Sequence, residues 1–170
     1  MEQNIKVAVD AVVFGFDQKG LSVLLIERKI PDGPKKWALP GGFVENNEDL
    51  DKAVRRELKE ETNLQLQYLQ QFKTFGAVGR DKRGRIISIA YLVMVNKNKR
   101  KPKAGDDAKD AKWLPFAMLP KLAFDHQLII EEAANVLRSK LASLNTDCVE
   151  DIPSTAEIKL LSKQLNEDPK

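Results

Sequence analysis

Two apolar segments near the start of the chain are separated by a short polar turn. The first covers residues 7–16 and is rich in β-branched side chains, and the second covers residues 21–26. The turn-like residues 17–20 between them predict a β-hairpin. A shorter apolar segment, residues 37–39, ends at a Pro-Gly-Gly break over residues 40–42 and predicts a short buried strand.

Helical spacing of apolar residues predicts two α-helices. Residues 49–62 form the first, with Asp49 in a position to act as its N-cap. Residues 126–144 form the second and longer one. Three further apolar segments predict strands, and these are residues 64–75, 86–95 and 111–114.

The order of these elements indicates one mixed α/β domain over residues 1–144, without internal repeats or a linker. Residues 145–170 are mostly polar and predict a short tail that carries one helix at most. Its signal is the capping-box pattern Ser-Thr-Ala-Glu at residues 154–157.

Composition narrows the class of protein. The chain is 42% hydrophobic and 31% charged, which is typical of a globular domain, and its net charge of +3 is too small to indicate nucleic-acid binding. Cys148 is the single cysteine, so we expect a reduced, cytoplasmic protein. No apolar run approaches the roughly 20 residues of a membrane span, and the N-terminus lacks a signal-peptide pattern, so we expect neither feature. His126 is the single histidine, which disfavours a Ser-His or Cys-His enzyme and leaves the chemistry to carboxylates.

Three glutamates of the first predicted helix carry the main chemical signal. Glu57, Glu60 and Glu61 fall within an arc of roughly 100° that overlaps the apolar face, while Lys and Arg lie opposite. Like charges on a half-buried face repel each other, and a hard divalent cation such as Mg²⁺ compensates them. Arg56 lies four residues before Glu60 and could orient the cluster. The alternative is a solvated acidic helix end.

Residues 42–64 closely resemble the Nudix box, G-x5-E-x7-R-E-U-x-E-E-x-G-U, in which U is aliphatic. The matching residues are Gly42, Glu48, Arg56, Glu57, Leu58, Glu60, Glu61 and Leu64. Asn63 stands where the family has glycine. Because asparagine tolerates the left-handed conformation best after glycine, we expect it to end the helix in the same way.

The similarity extends over about residues 7–144, to one Nudix subgroup. This subgroup contains bacterial ADP-ribose pyrophosphatases and related repressors of nicotinamide-cofactor metabolism. The segments that carry it are residues 9–16, 24–28, 37–42, 74–76, 80–81, 87–91, 104–107 and 123–126. The resemblance implies a Nudix α/β/α sandwich around a mixed β-sheet. It also implies Mg²⁺- or Mn²⁺-dependent hydrolysis of a nucleoside diphosphate linked to another moiety, foremost ADP-ribose to AMP and ribose 5-phosphate, by a homodimer.

The resemblance also suggests roles for individual residues. The expected metal ligands are Glu57, Glu60, Glu61 and Gly41. Arg56 joins the three glutamates as a catalytic residue, and so does Asp110, the best placed of Asp106, Asp107 and Asp110 to act as a base or extra ligand. The expected substrate-binding residues are Arg28, Gly41, Gly42, Arg80, Phe75 and His126. Purely structural alternatives remain for three of these residues. Asp110 could belong to a solvated acidic loop, Phe75 could be a core aromatic, and His126 could cap a helix.

Two other functions are compatible with the sequence. One is a Nudix hydrolase of a sugar nucleotide or dinucleoside polyphosphate, and the other is an ADP-ribose-sensing transcriptional regulator without catalysis. Regulators of this kind carry a winged-helix domain after the Nudix part, whereas about 26 residues follow residue 144 here. We therefore expect no nucleic-acid binding, and we interpret the basic residues 97–103 as a charged hairpin loop.

Overall fold

The computed structural model describes residues 4–29, 36–105, 108–143 and 145–166. The described residues form one seven-stranded sheet. Its strands are β1 (Ile5–Asp17), β2 (Gly20–Arg28), β3 (Trp37–Ala38), β4 (Gly41–Phe43), β5 (Gln70–Phe75), β6 (Arg85–Asn96) and β7 (Ala108–Pro115). The α-helices are α1 (Leu50–Thr62), α2 (His126–Ala142) and α3 (Thr155–Asn166), and 3₁₀ turns occupy Lys97–Lys99 and Phe116–Met118.

The long strand β1 organises the mixed sheet. It pairs in parallel with β6 along nearly its whole length, and its other edge is shared by two antiparallel partners. β4 pairs near the start of β1, where Asp10 lies opposite Gly41, and β2 pairs near its end, where Phe14 lies opposite Val23. β4 pairs with residues 8–10 of β1, and β2 pairs with residues 14–17. The sheet therefore opens between β2 and β4 along this edge of β1, and the candidate site lies at this opening.

Helices cover both faces of the sheet. Side chains of β1 alternate between the faces, as the two-residue period of a strand requires. Val9, Ala11 and Val13 pack in the cluster that contains α1 residues, whereas Val12 and Phe14 pack in the cluster that contains α2 and α3 residues. A strand covered on both faces is apolar throughout, which explains the continuous apolar segment of the sequence. The predicted α/β/α sandwich is confirmed.

The C-terminal segment contributes side chains to the core, whereas the sequence predicts a mostly polar tail there. Cys148 is fully buried, and Val149 forms a parallel bridge with Met94 of β6. Leu161 and Leu165 of α3 are each only 1% exposed. The few apolar residues of this segment are spaced so that one side of α3 covers the sheet, and a mostly polar composition conceals that pattern.

Helix ends follow the sequence in part. Asn63 adopts the left-handed conformation with φ 57° and ends α1, as expected. Ser154 and Glu157 form the predicted capping box by reciprocal hydrogen bonds. Asp49 occupies the N-cap position of α1, but its side chain makes no capping hydrogen bond and instead lies 3.0 Å from Lys52 Nζ. Residue 144, the predicted end of α2, lies outside the described residues.

Candidate functional site

A cavity of about 380 Å³ opens where β1, β2 and β4 separate. The end of α1 and the start of α2 complete its walls. Its charged and polar lining residues are Asp10, Arg28, Lys29, Glu61, Arg80, Asp81, Arg83 and His126. Positive and negative groups therefore meet in one small volume, which suits a ligand that carries phosphates together with a cation.

The Pro-Gly-Gly break brings α1 against the cavity. The Gly41 amide donates a 2.8 Å hydrogen bond to Glu61 Oε2, and Glu61 is only 7% exposed. A side chain at Gly42 would collide with the carboxylate of Glu57, and one at Gly41 would meet Asp10 Oδ1 at 2.8 Å. Gly42 thus lets the backbone of β4 approach the acidic helix closely, and Gly41 lets it approach β1.

Arg56 orients the other acidic side chains. Its Nη1 donates to Glu57 at 2.8 Å and to Glu60 at 3.2 Å, and its Nε and Nη2 hold Glu48 at 2.7 and 2.8 Å. The hydrogen bond from Arg56 lowers the pKa of Glu48. Burial raises the pKa of Glu57, and this effect outweighs the contact with Arg56. The three glutamates differ in burial, since Glu61 is buried, Glu57 half-buried and Glu60 exposed.

The acidic residues have the chemistry of a hard-cation site. Within the described parts of the chain, no three His, Cys, Asp or Glu side chains converge closely enough to hold a metal ion. Glu57 and Glu60 turn towards Arg56, and Glu61 turns towards the Gly41 amide. The side-chain donors are all carboxylate oxygens beside a cavity, a set that fits Mg²⁺ or Mn²⁺ and not a soft metal.

Arg80 lies at the floor of the cavity, with a side chain only 4% exposed. Its Nε donates to Asp125 at 2.8 Å, its Nη2 donates to the other oxygen of the same carboxylate, and Nη2 also lies 3.6 Å from Asp10. The Nη1 group has no hydrogen-bond partner among the described residues. Asp125 therefore fixes one edge of the guanidinium and leaves the other edge for a ligand.

His126 is buried at the first position of α2. Its Nδ1 accepts a 2.9 Å hydrogen bond from the Leu39 amide, and its Nε2 lies 3.4 Å from Asp10 Oδ1. Burial lowers the pKa of the imidazole, so the ring is neutral near pH 7. Because Nδ1 accepts a hydrogen bond, the ring proton is on Nε2 and faces Asp10.

Aromatic rings and guanidinium groups alternate along one wall. Arg28 lies 4.8 Å from the centre of the Phe124 ring, and Arg83 lies 4.8 Å from Phe124 and 5.3 Å from Phe43. Arg83 also holds the carboxylate of Asp81. Such stacking fixes the planes of the guanidinium groups and keeps positive charge at the cavity.

Two sequence candidates lie away from the cavity walls that the described residues form. Phe75 is buried in the core, in edge contact with Phe72. Asp110 lies on β7 and pairs with Lys112, whose hydrogen bond lowers the pKa of the carboxyl. Asp106 and Asp107 lie outside the described residues.

The sequence interpretation missed several residues of the cavity. Asp10 and Phe124 are the main ones, together with Asp81. Asp125, which holds the lining residue Arg80, was missed as well. Asp10 is a carboxylate inside an apolar strand, and Phe124 and Asp125 belong to the segment that resembles the Nudix subgroup. A charged residue inside the apolar segment of residues 7–16 is a signal that could have indicated Asp10.

Comparisons with known proteins agree with these features. The NUDIX domain model matches residues 4–133. An ADP-ribose pyrophosphatase of Methanocaldococcus jannaschii is 43% identical over 126 residues, which are 74% of this chain and 71% of the relative. The ADPR responsive transcriptional repressor NtrR of Acinetobacter baylyi is 33% identical over 136 residues, which are 78% of this chain and 54% of the repressor.

A solved structure shows the same fold. The NUDIX domain of Shewanella oneidensis NrtR, crystallised with ADP ribose, superposes with a TM-score of 0.73 at 33% sequence identity, covering 80% of this chain and 90% of that one. The resemblance noted in the sequence is thereby confirmed, and the comparisons support a Nudix pyrophosphohydrolase. The chain belongs to the NUDIX domain family.

Proposed function

We propose that this protein hydrolyses ADP-ribose to AMP and ribose 5-phosphate with a divalent cation, Mg²⁺ or Mn²⁺. The observation that carries the proposal is the contact of Glu61 with Gly41 at the edge of the cavity. It joins the acidic helix to a cavity lined by arginines. The substrate follows the M. jannaschii relative, whose name specifies ADP-ribose.

Each residue has a distinct role in this proposal. Glu57, Glu60 and Glu61 hold the cation, with the Gly41 carbonyl as a further ligand, and Arg56 keeps the carboxylates in place. When bound there, a divalent cation would supply neutralisation of charge on the phosphoryl oxygens and activation of a water molecule. Arg28 and Arg80 bind the diphosphate, because a guanidinium pairs well with phosphate oxygens.

The direct test is a phosphate-release panel with Mg²⁺, in which each reaction is run with and without added phosphatase. ADP-ribose has no terminal phosphate, whereas both expected products do. We therefore expect phosphate from ADP-ribose only when both enzymes are present. ADP-glucose, NADH and diadenosine polyphosphates serve as competing substrates. Release from one of these and none from ADP-ribose would reassign the substrate and leave the hydrolase assignment intact.

A regulator that senses ADP-ribose is the second candidate, because the A. baylyi relative is a repressor responsive to that ligand. The basic loop argues against a nucleic-acid surface there. Lys99 lies 3.0 Å from Asp151, and Arg100 lies 3.1 Å from Glu150, so these two cations have acidic partners. A gel-shift with genomic fragments at physiological salt distinguishes the regulator from the hydrolase. Tight, sequence-selective binding that ADP-ribose relieves would favour the regulator.

A cytoplasmic location and a homodimer complete the proposal. Of the α-helices in the described part of the chain, none has the length and apolar content that a membrane span requires. The lone Cys148 is buried. The homodimer rests on the resemblance, and light scattering tests it.

A further inference from the structure

The Leu39 amide is a buried donor that depends on one side chain. Leu39 is only 1% exposed, and its N–H donates to His126 Nδ1 at 2.9 Å. A buried N–H without an acceptor is costly, so this bond helps to fix the backbone of residues 39–42. The next residue is held as well, because Pro40 O accepts from the Ala11 amide at 2.8 Å.

The imidazole that accepts this bond is itself fixed. Its Nε2 faces Asp10 Oδ1 at 3.4 Å. The other oxygen of Asp10 accepts from Ser88 Oγ and lies 3.6 Å from Arg80 Nη2. Both ring nitrogens of His126 are therefore directed at protein groups. Although His126 lines the cavity, its Nδ1 already accepts from Leu39 and its Nε2 faces Asp10.

Residues 39–42 connect this histidine to the acidic helix. Gly41 lies two residues after Leu39, pairs with Asp10 across β1 and β4, and donates its amide to Glu61. The Leu39 amide and the Gly41 amide are thus separated only by Pro40, and the second of them contacts the Glu61 carboxylate.

We propose that His126 is a positioning residue: through Nδ1 it fixes residues 39–42, whose Gly41 amide orients Glu61 for metal binding. This inference rests on the proposed function for its effect on turnover. In this proposal His126 acts on Glu61 through the backbone of residues 39–42. Asp10 is the group that keeps the imidazole proton on Nε2.

The first experiment uses the wild-type protein and needs no activity. His126 is the single histidine of the chain, so ¹⁵N labelling gives one set of imidazole signals. We expect Nε2 to carry the proton and Nδ1 to be unprotonated at pH 7, with a scalar coupling between Nδ1 and the Leu39 amide nitrogen. A proton on Nδ1 would overturn the proposal, because that nitrogen could then accept no hydrogen bond.

The second experiment separates the two ring nitrogens. In His126→Asn the amide oxygen replaces Nδ1 and can still accept from Leu39, whereas His126→Gln places a donor near Nε2 and loses that acceptor. We expect kcat to fall at least about tenfold in His126→Gln, with KM within about twofold, and to stay within about threefold in His126→Asn. Binding of Mn²⁺ alone should weaken in parallel in His126→Gln.

Gln127→Ala is the matched control, since Gln127 is the next residue of α2 and contacts Glu131. Equal kcat in the Asn and Gln variants, whether reduced or unchanged, would refute the positioning role. If ADP-ribose proves not to be the substrate, the tautomer, the coupling and Mn²⁺ binding still decide this inference separately from the proposed function.

Discussion

All five N–H groups of Arg56 have acceptors. Two donate to Glu48, one to the Phe43 carbonyl, and the Nη1 group serves Glu57 and Glu60. One positive charge therefore faces three carboxylates, and the buried Glu61 lies one helical turn beyond Glu57. The excess negative charge is the physical reason to expect a divalent cation at this place.

Replacing a metal ligand by its amide tests this interpretation. Glu60→Gln and Glu61→Gln keep side-chain size, but remove the charge that the cation needs. We expect turnover of ADP-ribose to fall at least about 100-fold in each, with an unchanged far-UV spectrum. Glu131→Gln, a charge removal on the exposed side of α2, is the control. Activity near the wild-type level in both variants, at defined Mg²⁺, would remove these residues from the site.

Arg80 is predicted to serve both stability and binding. Arg80→Ala should raise KM for ADP-ribose by roughly tenfold, the cost of about one charged hydrogen bond. It should also destabilise the fold by about 3–5 kcal/mol, because Asp125 would keep a poorly solvated, unpaired charge. Arg80→Lys keeps the charge without the planar fork and should recover only part of both losses.

Steady-state kinetics and urea unfolding measure the two effects of Arg80 separately. Arg85 is a suitable control, since it lies in the same segment and donates to the Gly76 carbonyl. If Arg80→Ala loses stability while its KM stays unchanged, Arg80 is purely structural.

His126 should make stability depend on pH. Burial lowers its folded-state pKa, whereas the unfolded histidine titrates near about 6.5. Below that pH the unfolded state binds more protons, so the free energy of unfolding falls with decreasing pH, by at most about 1.4 kcal/mol per pH unit. His126→Asn lacks this contribution. The stability advantage of the wild type over His126→Asn should therefore shrink between pH 7.5 and 5.5 in urea unfolding, and a constant difference would contradict this.

At the scale of whole elements, α3 is predicted to be part of the cooperative fold. Leu161 lies in the core cluster with α2 side chains, and Gln164 Oε1 accepts from the Leu21 amide at 2.6 Å. Leu161→Ala should destabilise the protein by about 2–5 kcal/mol, as other buried leucines do. The exposed Lys163→Ala should leave stability nearly unchanged. Thermal unfolding of the two variants tests this, and equal midpoints would show that α3 is not part of the unit.

The elements that the sequence predicts well are those with a clear periodic pattern of apolar residues. Strands β1, β2 and β6 and helices α1 and α2 lie close to their expected places. Residues 64–69, by contrast, are predicted as strand but precede β5, which begins at Gln70. Leu64 and Leu66 are buried there, and a buried irregular segment has the same apolar signature as a strand. β4 falls on the Pro-Gly-Gly break, where composition indicates only a turn.

The residues of the candidate site also differ in how well the sequence predicts their placement. Glu57, Glu60 and Glu61 share one helix, so their common face follows from helical geometry. The placement of Asp10, Arg80 and His126 at one cavity depends on the pairing of β1 with β4 and on the start of α2. Pairings between distant segments leave no periodic signal in the sequence, and resemblance to a family is what indicated two of these three residues.

At the scale of the whole molecule, the described strands and helices form apolar clusters on both faces of the sheet. The apolar first strands are covered by α1, α2 and α3, and Val9 to Phe14 are nearly inaccessible. Only a small apolar surface stays exposed near the start of β1 among the described residues. Ile5, Val7 and Phe43 are 37–39% exposed and lie along one groove.

This groove is where we expect the two copies of the homodimer to meet. Light scattering at micromolar concentration should give twice the chain mass of 19.2 kDa. Val7→Glu places a charge in the groove and should shift the protein towards the monomer, because an unpaired buried charge opposes association. Leu128→Glu, on an exposed position of α2, is the control and should remain dimeric. A monomeric wild type would refute the dimer, and a dimer that survives Val7→Glu would place the interface elsewhere on the surface.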